Sequence, residues 1–263
     1  MSIPLTLTKR QKIIIASICI TIGLVLSTQS ASFIYGQYRF MIGLAIIAYS
    51  LSLWALWEGM TKLKAIILMI LPTLFTLGVA SFYFLLPVRW LTRLPVAGLF
   101  GLSFYSLLLS QNVFNVASER TIPLFRAAST VAFLFTLITA FFIFNVVFSF
   151  RFNFYLNGLI IFLISFILII QILWSIEMEK VTALIFTYSL VLALLMAEFA
   201  VVLSFWPIIP TLWSLVLSSI LYFLLGLTTQ LLRERLTKKQ VLEYLGVGGG
   251  VLIVILLTTS WIG

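Results

Sequence analysis

Long apolar runs separated by short polar breaks recur along the whole chain. The runs fall at roughly 13–33, 38–57, 64–86, 95–116, 127–149, 154–176, 181–205, 208–230 and 241–262. Each reaches the length of about 20 residues that a helix needs to cross a hydrocarbon layer. Short breaks suit antiparallel neighbours in a bundle. The alternation of a membrane β-barrel strand is missing from these continuous runs. The pattern therefore predicts an all-α fold: a polytopic helical membrane protein with about nine transmembrane helices, forming a single bundle domain over residues 1–263. Membrane lipid is then the first partner.

The first run admits a second reading. Lys9, Arg10 and Lys12 precede IIIASICITIGLVL, and the small residues STQSAS follow. That arrangement also fits a cleavable signal peptide, which would leave eight spans. An uncleaved span is expected, because the apolar stretch continues through Phe33 and Ile34. LTKRQ at 7–11 and LTKKQ at 236–240 open the first and last spans alike. A threonine N-cap followed by basic residues explains both without an internal repeat.

Composition and charge add orientation. The chain is 63% hydrophobic and 9% charged, against about 25% charged in soluble domains. With the N-terminus in the cytoplasm, twelve of the sixteen basic residues fall inside, and only Arg39, Arg89, Arg93 and Arg151 fall outside. This bias predicts an N-in, C-out protein of the cytoplasmic (inner) cell membrane. Span ends account for the net charge of +9, so it does not argue for nucleic acid.

The inventory of reactive side chains is thin. There is no His and no Asp, and Cys19 is the single cysteine. Triad hydrolysis, an intramembrane aspartyl pair, His-ligated zinc and a paired-cysteine redox site are thereby excluded. No phosphate loop or nucleophile elbow is present. The sequence calls for no cofactor and no metal, and a non-enzyme is expected. Cys19 is expected to behave as a small hydrophobe.

The remaining polar features are candidate binding or coupling positions. In the fourth span Gly101, Asn112, Asn115 and Glu119 share a helical face, with Gln111 and Ser118 beside it; Ser103, Ser106 and Ser110 adjoin. That face suits interhelical hydrogen bonds or a hydrated path. In LPVRWLTRLP (86–95) the prolines bracket a short predicted interfacial helix, with Arg89 and Arg93 on one face. Its arginines suit an anchor or an anionic headgroup. FSFRFNF (148–154) alternates aromatic and polar residues around Arg151, which predicts an extended aromatic-belt turn. Gly246 and Gly250 make a GxxxG spacing for close helix packing, within the chain or between two copies. Pro72 should kink the third span.

Glu198, in LLMAEFAVVL, is the one acid deep in an apolar run. It lies about 12 Å below Trp206, at about 1.5 Å of rise per residue. It is expected to face the bundle interior, where it either carries a proton or meets Arg39, Arg151, Asn145 or Asn157. Two function classes follow. The first is a non-catalytic scaffold, accessory subunit or assembly component, with a membrane-protein partner or a second copy. The alternative is a transporter or lipid-handling protein for a small or anionic substrate, with Glu198 as the coupling acid.

Overall fold

A computed structural model describes residues 7–27, 34–87, 89–117, 124–178 and 180–258. The described residues form α1 (Lys9–Ser27), α2 (Ile34–Leu56), α3 (Lys62–Leu85), α4 (Trp90–Ala117), α5 (Phe125–Ser149), α6 (Phe154–Glu177), α7 (Ala183–Leu203), α8 (Pro210–Leu232) and α9 (Lys238–Thr258). All nine are long and apolar enough to cross a membrane, as a multi-pass membrane protein requires. Ile34 opens α2 rather than prolonging the first span, and α1 is correspondingly the shorter helix Lys9–Ser27. The chain divides into two compact units, Met1–Phe135 and Thr136–Gly263.

In the first unit α1 packs on α2 and α4, and α3 packs on the same two helices. Ile13, Ala16, Ile20 and Leu24 of α1 form one buried stripe, the spacing of a single helical face. Aromatic rings fill the centre: Phe75 stacks on Phe100 at 5.6 Å and meets the edge of Phe135 at 5.3 Å. In the second unit α6 and α7 form the most extensively packed pair, α8 rests on both, and α9 packs on α8. Ile161, Leu168, Trp174, Leu192, Met196 and Leu221 lie in its core.

Local signals explain several boundaries. The Thr8 hydroxyl accepts from the Gln11 backbone N–H at 3.4 Å, and the Gln11 side chain accepts from the Thr8 N–H at 2.9 Å. Thr237 and Gln240 repeat this at 3.4 and 3.1 Å. Both LTK-x-Q segments are thus reciprocal capping boxes, satisfying two otherwise orphaned helix-start donors each. Gly59, at φ 80°, forms the turn that ends α2, a backbone region open to glycine without a Cβ clash. Pro72 lies buried inside α3.

Two connections depart from the sequence expectation. Residues 90–95 do not make a separate interfacial helix bounded by Pro95, because α4 is continuous from Trp90 through Pro95. Pro95 stands in the second turn, so only one intrahelical bond is lost near a helix end. The 148–154 segment is a tight helical turn, not an extended strip. Phe150 and Arg151 donate to the carbonyls of Val147 and Phe148, and Arg151 adopts φ 52°. Phe148 is consequently buried against Trp213, while Phe150 and Phe152 are exposed and stacked on each other.

Candidate functional site

The first unit contains a polar node at one end. Leu56 closes α2, and its carbonyl has no acceptor role left within the helix. The Asn115 side-chain amide donates to the Leu56 carbonyl at 3.1 Å and to the Glu58 carbonyl at 3.0 Å. Asn115 is buried, so this amide ties the end of α4 to the α2–α3 turn. On the outer side of that turn Lys12 reaches the Glu58 carboxylate at 3.0 Å, and Lys9 reaches it at 3.6 Å. The hydrogen bond from Lys12 holds the Glu58 carboxyl below its ordinary value of 4.5. Folding lowers that value, so the stabilisation is full above pH 4.5 and disappears as pH falls through the lower folded value. Wild type and Glu58→Gln should therefore differ in unfolding temperature at neutral pH and converge as the pH is taken below the lowered folded value. Glu58 is exposed, so added salt should narrow the difference too.

The rest of the fourth-span face is put to different uses. Gln111 is completely buried, and neither of its amide atoms has a hydrogen-bond partner among the described residues. Asn112 is only half-buried. Ser110 donates to the Ala128 carbonyl at 2.8 Å, linking α4 to α5. At Gly101 an added Cβ would lie 2.6 Å from the Thr21 hydroxyl oxygen, so this glycine sets the α1–α4 approach. Ser118 and Glu119 lie outside the described residues.

The arginine expectations need correction. Arg89 is exposed, but Arg93 does not share a headgroup-facing surface with it. Arg93 is 9% exposed, folds over the Tyr83 ring at 5.4 Å and donates to the Leu86 carbonyl at 3.5 Å. It serves the α3–α4 corner. Arg151 stands exposed in the α5–α6 turn. At Gly246 and Gly250 an added Cβ would meet nothing within 4 Å. Among the described residues, therefore, nothing packs closely on these two glycines. The close α8–α9 approach occurs instead at Gly226, under the Tyr244 ring.

Glu198 is the largest departure. It is exposed on α7 and makes no hydrogen bond or ion pair among the described residues. Helical geometry explains this. Ser189, Ala193, Met196 and Ala200 form the buried stripe of α7. At about 100° per residue, Glu198 lies nearly opposite both Met196 and Ala200. The two expected amide partners are occupied elsewhere. Asn145 donates to Thr211 at 3.2 Å. Asn157 donates to Ser204 and to the Phe152 carbonyl, both at 3.1 Å.

Glu198 instead lines an open groove between α6 and α7 of about 620 Å³, together with Tyr155, Gly158, Phe162, Leu194 and Val202. At Gly158 an added Cβ would lie 2.7 Å from Val201 Cγ2, so the two helix backbones approach closely beside the groove. The groove is apolar apart from the acid and the Tyr155 hydroxyl, which accepts from Asn153 at 3.0 Å. A further polar position, not expected from the sequence, is Gln171, buried in α6 with a side-chain oxygen that has no partner among the described residues. Its signal was the lone amide in the apolar run FLISFILIIQILW.

Comparison with curated proteins and with solved structures found no match to this chain. One family profile, described as "Protein of unknown function (DUF5656)", matches residues 58–258. That segment starts at Glu58 and includes Asn115, Gly158 and Glu198. Because the match extends over most of the chain, the protein belongs to the DUF5656 family.

Proposed function

We propose that this protein is a non-catalytic multi-pass component of the cytoplasmic membrane, acting as a scaffold, accessory subunit or assembly component that holds another membrane segment against α6 and α7. The observation that carries this reading is the exposed carboxyl of Glu198 in an apolar groove, with no partner among the described residues. An isolated ionised carboxylate deep in a bilayer costs about 2.5–3.5 kcal/mol on insertion scales. A neighbouring polypeptide that satisfies the carboxyl removes that cost, whereas hydrocarbon does not. The transporter alternative loses its main support, since Glu198 faces away from the core of its own unit and Asn115 is engaged with backbone carbonyls. An enzyme is disfavoured because the convergent ionisable side chains of Lys9, Lys12 and Glu58 are engaged with one another at a helix end. A photoreactive residue at Leu194, activated in native membranes, should form adducts with polypeptide. Adducts with lipid alone would remove this reading.

The same proposal includes N-in, C-out topology. The ion pairs of Lys9 and Lys12 with Glu58, and of Lys239 with Glu243, belong to the ends assigned to the cytoplasm. Reporter fusions after residues 60, 120 and 236 should be cytoplasmic, and those after 90 and 151 external. A reversed pattern at any of the five would contradict the orientation.

A further inference from the structure

We infer that the segment held in the Glu198 groove is the α7 helix of a second copy of this chain, so that two copies pair in parallel along α7. This rests on the reading that the α6–α7 surface binds a membrane segment.

Three observations favour a second copy. The first is spacing. Leu184, Thr187, Val191, Leu194, Glu198 and Val201 follow one another at intervals of three and four residues. That is the seam along which two parallel helices supercoil. Leu184, Val191 and Leu194 are each about half exposed, at 50%, 46% and 48%. Thr187 and Glu198 are exposed as well. The buried stripe of α7 on Ser189, Ala193, Met196 and Ala200 faces its own unit, and within the seam only Val201, which lies against Gly158 of α6, is part-buried.

The second is symmetry. Two copies inserted in one membrane with the same topology are related by a two-fold axis along the membrane normal. Each seam residue then meets its own equivalent at the same depth, and α7 meets α7 in parallel. No independent matching of depths is needed.

The third is the chemistry of the acid. A carboxyl that carries its proton both donates and accepts. Two such groups across a two-fold axis satisfy each other, with no cation required. A single polar residue within an otherwise apolar seam fixes the register of a helix pair. Gly158 gives the incoming helix a firm wall, since it locks α6 against Val201 of α7.

The experiment uses the full chain in native membranes. Cys19 is exposed on α1, so Cys19→Ala first removes the native thiol. Under mild oxidation, Leu194→Cys in that background should give a disulfide product at twice the mass of the chain. Leu102→Cys, exposed on α4, should not. Adding Glu198→Gln should preserve the product, because an amide also donates and accepts. Adding Glu198→Leu should lower self-association about threefold to twentyfold, the range of interhelical hydrogen bonds in membranes. Equal yields from Leu194→Cys and Leu102→Cys would overturn the inference. So would a yield insensitive to Glu198→Leu. Should the leucine variant fail to insert, loss of the product in Glu198→Gln would overturn it equally. A product with a different polypeptide at Leu194 would end the second-copy inference and leave the membrane-scaffold reading standing. Lipid adducts alone would end both.

Discussion

Asn115→Leu is expected to destabilise the first unit by about 1–3 kcal/mol, the cost of leaving a buried hydrogen-bonding group unpaired. Leucine has the same number of side-chain heavy atoms as asparagine, branched at the same carbon, so no cavity contributes. What changes is the fate of two carbonyls. Leu56 is fully buried at the end of α2, and Asn115 supplies a donor to its oxygen at 3.1 Å. Water cannot readily replace that donor. The Glu58 carbonyl loses less, because Lys9 also donates to it at 3.3 Å. Ser106→Ala is the control: that side chain is exposed on the same helix and should change stability by less than about 0.5 kcal/mol, the usual range for surface positions away from such networks. Unfolding in a graded detergent titration, followed by tryptophan fluorescence, measures both. Equal stability of Asn115→Leu and wild type would show that the α2 end is satisfied without the amide.

This residue also shows how far sequence could be read. The polar face of the fourth span was visible from spacing alone, and interhelical hydrogen bonding was its expected use. The acceptors were not visible, because they are backbone carbonyls of a turn almost sixty residues away. Side-chain patterning contains no information about which carbonyl a distant helix end presents. The helices themselves were legible, since span length follows from hydrocarbon thickness. Their exact ends depended on caps. The T-x-x-Q pairs at Thr8 and Thr237 could have been identified as complete capping boxes from spacing. At the α3–α4 connection the spacing suggests Pro95 as a helix boundary, whereas α4 runs through it. A proline near the start of a helix removes little, and Arg93 gains the Leu86 carbonyl and the Tyr83 ring.

Glu198 was misplaced for a related reason. Depth along a helix is one coordinate, and it was estimated from Trp206. The other coordinate is the angle around the axis. A helix that is apolar all round shows little amphipathic contrast to fix that angle. The small residues of α7 did hold a clue. Ser189, Ala193 and Ala200 mark the face that lets a neighbouring helix approach, and Glu198 is not on it. Burial of a lone acid is a sound expectation for a complete assembly. It does not say whether one chain supplies all the cover.

Gly158→Leu is expected to be the most damaging single change in the second unit, with a loss at or above the top of the range of about 1–3 kcal/mol for overpacking. The first added atom already lies 2.7 Å from Val201 Cγ2 and 3.6 Å from the Ala197 carbonyl. Val201 is branched at Cβ, so its side chain has few staggered positions to retreat into. The remaining atoms of leucine then have to be accommodated by separating α6 from α7. Gly158→Ala opposes two terms. Alanine gains about 1 kcal/mol of helix propensity over glycine while incurring the Val201 contact, so its net effect should be small. Val201→Ala removes the opposing methyls, and the Gly158→Ala, Val201→Ala pair should be more stable than the sum of its single changes implies. Such a positive coupling is expected only of side chains in contact. Thermal unfolding of the four proteins in lipid bicelles provides the cycle. Strict additivity would mean that Gly158 does not set the α6–α7 distance. The groove that holds Glu198 would then need a different origin.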